Sequence, residues 1–355
     1  MHKVVQRASP RLKQMGFRMK AVVCRYPGDL QLESYLAPGP PREGWVLVGV
    51  SHVGICGTDY HIFEGKHPYL AYPRVMGHEL SGTVLMVGDG VSLAVGQEMI
   101  VNPYIACGKC VACRQGKPNC CVAIEVLGVH RDGGMCERLL VPATNLYPTN
   151  GLSLADAATV EFLAVGAHAV RRSLAAHGKR ALVIGAGPIG LGTALFARIA
   201  GQDVTIADLN RDRLDFAEKH LDFAVIDGGT GVMQDLAREA TQGDGFDVVF
   251  DATGNGDSIR AAFAHVAHGG ALVIVSVVKD EITFSDPEFH RREMMLIGTR
   301  NALREDFDHV SKSILDGSVP LSKLVTHRTT LEDSPRDIIR WTHDKSGLIK
   351  ALITI

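Results

Sequence analysis

The segment ALVIGAGPIG, residues 181–190, constrains the fold of this chain more than any other stretch. A short uninterrupted apolar run with β-branched residues reads as a strand buried on both faces, and such strands belong to parallel sheets covered by helices. Gly185, Gly187 and Gly190 then permit a tight turn into a helix that Pro188 and Ile189 open. Backbone N–H groups at such a helix start favour an anion, so this turn suits a pyrophosphate. A lone GxGxxG is a weak sign, but here a strand precedes it, a helix follows, and Asp208 ends the next strand. At that position a carboxylate would accept from the adenosine ribose and repel a 2′-phosphate, which favours NAD over NADP; a plain surface acid at a strand end is the competing reading. Arg213, one turn into the next helix, would flank the adenine or simply be solvated. The same segment holds a long uncharged stretch, 181–197, but its glycines and proline suit strand, turn and helix, not a membrane span.

The pattern around this turn defines two regions. From Leu163 onward helical and strand-like segments alternate: LGTALFARIAG, DVTIAD, RDRLDFAEKH, FDVVFDATG, SIRAAFAHVAH and ALVIVSVV. That alternation predicts a doubly wound parallel sheet over 161–299. Residues 19–160 are short apolar runs broken by Gly and Pro, which predicts an antiparallel, barrel-like β domain. After about Gly298 the text is mixed and ends on a strand-like KALITI, so 300–355 is assigned to the β-rich domain.

Cys107-x2-Cys110-x2-Cys113-x7-Cys121 is the strongest chemical signal. Four thiolates from one short lobe, about 103–122, close a tetrahedral zinc site and leave no open position for chemistry, so this zinc is structural. Cys120 competes with Cys121 as the fourth ligand. A second set is dispersed: CGTDYH (Cys56 to His61), GHE (Gly77 to Glu79) and EFLAVGAH (Glu161 to His168). One Cys, one His and one carboxylate make a sound catalytic zinc set with an open corner. Taken singly each residue reads equally as buried core or loop.

With these motifs in this order, the chain from about Met19 to the C-terminus resembles the zinc-dependent medium-chain alcohol dehydrogenases, nearest in wording to the polyol and sugar-acid branch. The resemblance implies a GroES-like catalytic domain beside a Rossmann cofactor domain. It implies two zinc ions per chain and NAD. It implies Cys56 and His78 as catalytic-zinc ligands, with Glu161 and Glu79 competing for the third place; Phe162 stands where the branch usually has Pro. The family's x2, x2, x7 spacing supports Cys121. Thr58 resembles the relay hydroxyl and His61 the terminal base of a proton path. Asp59 resembles the carboxylate that fixes a ligand histidine, His78. Thr58 and Asp59 also suit a helix cap. Arg300 and Asn301 in GTRNALRED are the candidate substrate contacts, an Arg suiting a two-pronged grip on a carboxylate. His130 and Arg131 line the same cleft or make a turn, and His168 reads as packed rather than ligating.

The implied reaction interconverts a secondary alcohol and a ketone on a polyol, sugar or sugar acid. A threonine or simple alcohol dehydrogenase is the nearest rival. A non-catalytic dinucleotide-binding regulator is the other, although a mere binder does not require Cys56, Thr58, Asp59, His61 and His78 together. The family implies a homo-oligomer, dimer or tetramer. Lys+Arg 37 against Asp+Glu 39 gives a net charge of -2, so no nucleic-acid-binding or membrane-surface role is expected. Metal-type cysteine spacing in a chain of 355 residues, with no apolar leader, points to the reducing cytoplasm. Residues 1–18 carry Lys3, Arg7, Arg11, Lys13 and Arg18 and no acid; they read as a disordered extension or misassigned start, with a transit peptide as the competitor.

Overall fold

The structure is a computed structural model that describes residues 17–67, 70–173, 179–230 and 232–355. The expected N-terminal extension therefore lies, apart from its last two residues, outside the described residues.

Strands from both ends of the chain build the first core. Its main sheet runs Leu146–Pro148, Glu98–Val101, Glu79–Val87, Trp45–Ile55, Lys350–Thr354, Val325–Thr330, with Arg138–Pro142 also paired to Trp45–Ile55. The pairs are antiparallel except between the last two strands of that order, which run parallel. The KALITI tail thus becomes a central strand, Ala351 opposite Ile55. Its alternate side chains Ala351 and Ile353 join Val53, Leu80 and Met99 in the core, because successive strand residues face opposite sides. Arg18–Tyr26, Asp29–Leu36 and Arg74–Val75 form a smaller sheet beside it.

The second sheet is all parallel, in the order Ala224–Asp227, Asp203–Asp208, Arg180–Ile184, Phe246–Asp251, Val266–Ile274, Met295–Gly298. Helices Pro188–Ile199 and Arg211–Leu221 follow their strands as the alternation predicts. One boundary differs. The segment expected as a helix through His268 stops at Ala262, and the next strand starts at Val266. Gly269 takes φ +74°, and at Gly270 a side chain would press on the Asp247 carbonyl. These glycines let a strand carrying a bulge begin inside a segment whose apolar spacing imitates a helix.

The helix Val160–Ser173 joins the two halves. At Gly166 it approaches Thr193 so closely that an added Cβ would lie 2.6 Å from the Thr193 nitrogen. Its first turn carries Glu161, so the nucleotide helix and that carboxylate are held on one rigid contact.

Candidate active site and metal centres

Cys56 ends the strand Trp45–Ile55 and caps the helix Gly57–Phe63. Asp59, at the third helical position, accepts from the Cys56 backbone N–H at 2.9 Å and from that of Gly77 at 3.3 Å. Among the described residues no hydrogen bond joins Asp59 to the His78 ring. The Asp59 carboxylate clamps the backbone beside both Cys56 and His78, and His78 Nδ1 is buried with no hydrogen-bond partner among the described residues. Asp59 is fully buried, and burial holds its carboxyl above the usual range.

One donor atom each from Cys56, His78 and Glu79 lies within 4.8 Å of the other two. A thiolate, an imidazole and a carboxylate at that separation fit a zinc ion, and the unpartnered buried ring nitrogen marks a histidine awaiting a further partner. Burial opposes a charged His78 ring, but the Cys56 sulfur, Asp59 and Glu161 outweigh it and hold its pKa well above the ordinary value. Thr58 Oγ1 lies 3.8 Å from Cys56 Sγ, and His61 is exposed at the helix surface.

Two further groups were not singled out from the sequence. Lys350, 1% exposed, donates to both Glu79 oxygens at 2.7 and 2.8 Å and to the Ile55 carbonyl at 3.1 Å, and sits 4.3 Å above the Phe162 ring. Buried Tyr104 donates its hydroxyl to Glu161. Glu161 thus belongs to the same buried cluster, but it falls outside the tight donor set that includes Glu79. Burial is the main cause raising its pKa to about 7, with Glu79 adding to it and His78 opposing. A carboxyl whose folded pKa is raised stabilises the fold fully below its unfolded value near 4.5, and that contribution is lost as pH rises through 7. In metal-free protein the thermal midpoint should therefore fall between pH 4.5 and 7 more steeply for wild type than for Glu161→Gln. Equal slopes would remove Glu161 as the cause.

The four cysteines of the lobe also converge. Cys107, Cys110, Cys113 and Cys121 place their sulfurs within 4.8 Å of one another, and Cys110 and Cys113 are 3.5 Å apart. Tetrahedral ligation at 2.3 Å separates sulfurs by about 3.8 Å, so the set fits. Backbone N–H groups of Cys113 and Val122 lower the Cys110 thiol to about 6, the direction metal ligation needs. Cys120 is exposed and outside the set.

At the nucleotide turn Gly185 has φ +101°, and a side chain at Gly190 would collide with the Gly185 carbonyl. Gly187 starts the helix Pro188–Ile199 and has only Arg213 near its missing Cβ, which leaves room for a close-lying phosphate. Ile189 follows in the first turn. Asp208 accepts from the Ala186 N–H at 2.6 Å and the Asn210 N–H at 2.8 Å, with Arg213 4.0 Å from it.

Among the remaining candidates, Arg300 is exposed just beyond the strand Met295–Gly298, whereas the Asn301 amide is engaged by the Asn119 carbonyl at 3.2 Å. His130 accepts from the Val126 N–H, and Arg131 pairs with Glu125 at 3.0 Å. His168 is buried against Asp306, in keeping with a packed rather than ligating role.

Family models for the alcohol dehydrogenase GroES-like domain and the zinc-binding dehydrogenase match residues 42–151 and 188–316. The chain is 39% identical over 341 residues to L-galactonate-5-dehydrogenase of Escherichia coli (strain K12), covering 95% of this chain and 99% of that protein. It is 32% identical to D-altritol 5-dehydrogenase of Agrobacterium fabrum, covering 83% and 87%. A solved alcohol dehydrogenase of E. coli CFT073 complexed with NADH superposes with a TM-score of 0.87 at 28% identity, covering 95% of this chain and 99% of that one.

Proposed function

The chain belongs to the zinc-binding alcohol dehydrogenase family, and from that premise we propose that it oxidises a secondary hydroxyl of a sugar acid or polyol with NAD as acceptor. The observation that carries this reading is the convergence of half-buried Cys56 with buried His78 and Glu79. That cluster adjoins Glu161, on the helix whose Gly166 packs against Thr193 of the helix that follows the nucleotide turn. Cys56, His78 and Glu79 would hold the catalytic zinc, and Cys107, Cys110, Cys113 and Cys121 the structural one. A bound zinc would supply Lewis acidity that eases deprotonation of the substrate hydroxyl, and NAD would accept the hydride.

The chain's own residues do the rest. Asp59 fixes the backbone of two ligands. Lys350 balances the charge of Glu79. Thr58 takes the hydroxyl proton and His61, at the surface, passes it to water. Gly185, Gly187, Pro188, Ile189 and Gly190 receive the pyrophosphate, and Asp208 the ribose. Residues 19–160 with 300–355 form the substrate half and 161–299 the cofactor half. A carboxylate on the substrate would be met by Arg300. The names of the relatives support this class, since galactonate is a sugar acid and altritol a polyol. We infer a homo-oligomer, dimer or tetramer, of the cytoplasm; among the described residues no helix is long and apolar enough to cross a membrane.

Purified protein assayed with NAD against aldonic acids and polyols, with zinc content measured alongside, tests the proposal. Rates should fall as distal hydroxyls are removed, because remote binding energy is used at the reacting carbon. Equal rates on simple alcohols would overturn the polyhydroxylated class. Asp208→Ser should raise kcat/KM with NADP by about tenfold or more, since a repelling carboxylate is lost while Arg213 stays beside the site. Unchanged selectivity would reject the role given to Asp208.

A further inference from the structure

Beyond the metal and nucleotide sites, one buried polar network stands apart from any chemistry described above. Asn119 lies inside the four-cysteine lobe, between Cys113 and Cys121, and is 4% exposed. Its side-chain amide donates to the Arg300 carbonyl at 2.9 Å and faces His168 Nε2 at 3.2 Å. Its main-chain carbonyl accepts from the Asn301 side-chain amide at 3.2 Å. His168, 3% exposed, places Nδ1 2.8 Å from Asp306 Oδ2, and Asp306, 2% exposed, is braced by Arg171 at 2.8 and 3.0 Å. With Nδ1 donating to Asp306, Nε2 is left to accept, which matches an N–H of Asn119. The lobe, the Glu161 helix and the helix Arg304–Leu315 are thereby tied to a single amide.

The part it grips is small and conformationally demanding. Asn301 has φ +54°, in the left-handed region that Asn adopts more readily than other non-glycine residues. The Asn119 side-chain amide holds the Arg300 carbonyl, and its main-chain carbonyl accepts from the Asn301 amide, so a substitution at 119 removes the first bond and leaves the second. This turn directly follows the last strand of the parallel sheet, at the carboxyl ends where ligands of such sheets bind.

We propose that Asn119 is a positioning residue through which the four-cysteine lobe sets the Arg300–Asn301 turn, and with it the affinity for the substrate. The role of the turn in substrate binding rests on the function proposed above; the mechanical link does not.

Asn119→Ala and the isosteric Asn119→Asp, which keeps the volume but loses the donors, test this on the full-length, zinc-loaded protein. Hydrogen–deuterium exchange should show faster exchange over residues 299–303 in both variants, with two zinc ions per chain retained. KM for the best sugar acid or polyol should rise about tenfold, the loss expected for buried hydrogen bonds, while kcat and NADH affinity stay within about twofold. If Asn119→Ala does not accumulate as folded protein, Asn119→Asp carries the same readouts. Unchanged exchange over 299–303 in a folded variant would overturn the link, and so would a fall in kcat and NADH affinity with KM unaltered. If the wild type oxidises no alcohol of the panel, the functional reading fails while the exchange measurement still decides the mechanical one.

Discussion

His78→Ala is expected to abolish NAD-dependent turnover while leaving NADH binding intact. The ring is one of three donors gathered within 4.8 Å, and its buried Nδ1 has no hydrogen-bond partner among the described residues that would give the side chain another task. Loss of one donor from a three-residue set removes most metal affinity, so kcat should fall by at least about a thousandfold, equivalent to roughly 4 kcal/mol of barrier. The nucleotide turn lies on a different sheet and does not use His78, so a fluorescence titration with NADH should give a Kd within about twofold of wild type. Zinc content should drop from two ions per chain to one, the four-cysteine site being separate. Cys56→Ser should behave alike. Wild-type kcat in either variant would rule out the metal-centred mechanism.

Lys350→Met is expected to destabilise the protein more than any surface substitution. The ammonium and the Glu79 carboxylate are 1% and 0% exposed, and each is the other's countercharge. Burial works against a charged lysine, but Glu79 and Cys56 outweigh it and keep Lys350 above its ordinary pKa. Removing one partner of a buried pair strands the other charge, at a cost of about 3–5 kcal/mol, whereas replacing both partners together costs far less. Lys350→Met in metal-depleted protein should therefore lower the thermal midpoint by several degrees, and Lys350→Met with Glu79→Gln should recover part of the loss. A single variant as stable as wild type would mean that Lys350 does not balance a buried charge on Glu79.

Both outcomes turn on groups that differ in how they could be read. His78 was legible because GHE stands in order with CGTDYH, the cysteine lobe and the glycine turn, the motif order that carries the family resemblance. Lys350 was not, although a signal existed: one lysine opening the otherwise apolar strand KALITI. Whether such a lysine lies at a solvated edge or in the interior depends on which strand it pairs with, and Ala351 opposite Ile55 puts it inside. Tyr104 stood in plain text between a strand and the cysteine lobe, yet its hydroxyl meets Glu161, 57 residues away. The choice between Glu79 and Glu161 was open for the same reason. Both are acids at plausible spacing, and only packing shows that Glu79 shares the donor set with Cys56 and His78. The misplaced boundary near Val266 has a local cause, a glycine pair that let a bulged strand start within helix-like spacing.

The chain alone determined the parallel nucleotide sheet, the glycine turn, the acid at its strand end, the four-cysteine lobe and the Cys56–His78 pair. The glycine turn and the cysteine lobe are matters of spacing within one short segment, where backbone geometry leaves little freedom; the sheet follows from the strand–helix alternation, and the Cys56–His78 pair, in two separate segments, from the motif order that carries the family resemblance. Tertiary structure decided which buried charges meet. Lys350 and Glu79 are 271 residues apart, and His168 and Asp306 are 138 apart. A buried ionic or polar group is tolerable only with a partner, and sequence does not say who that partner is until the elements have packed.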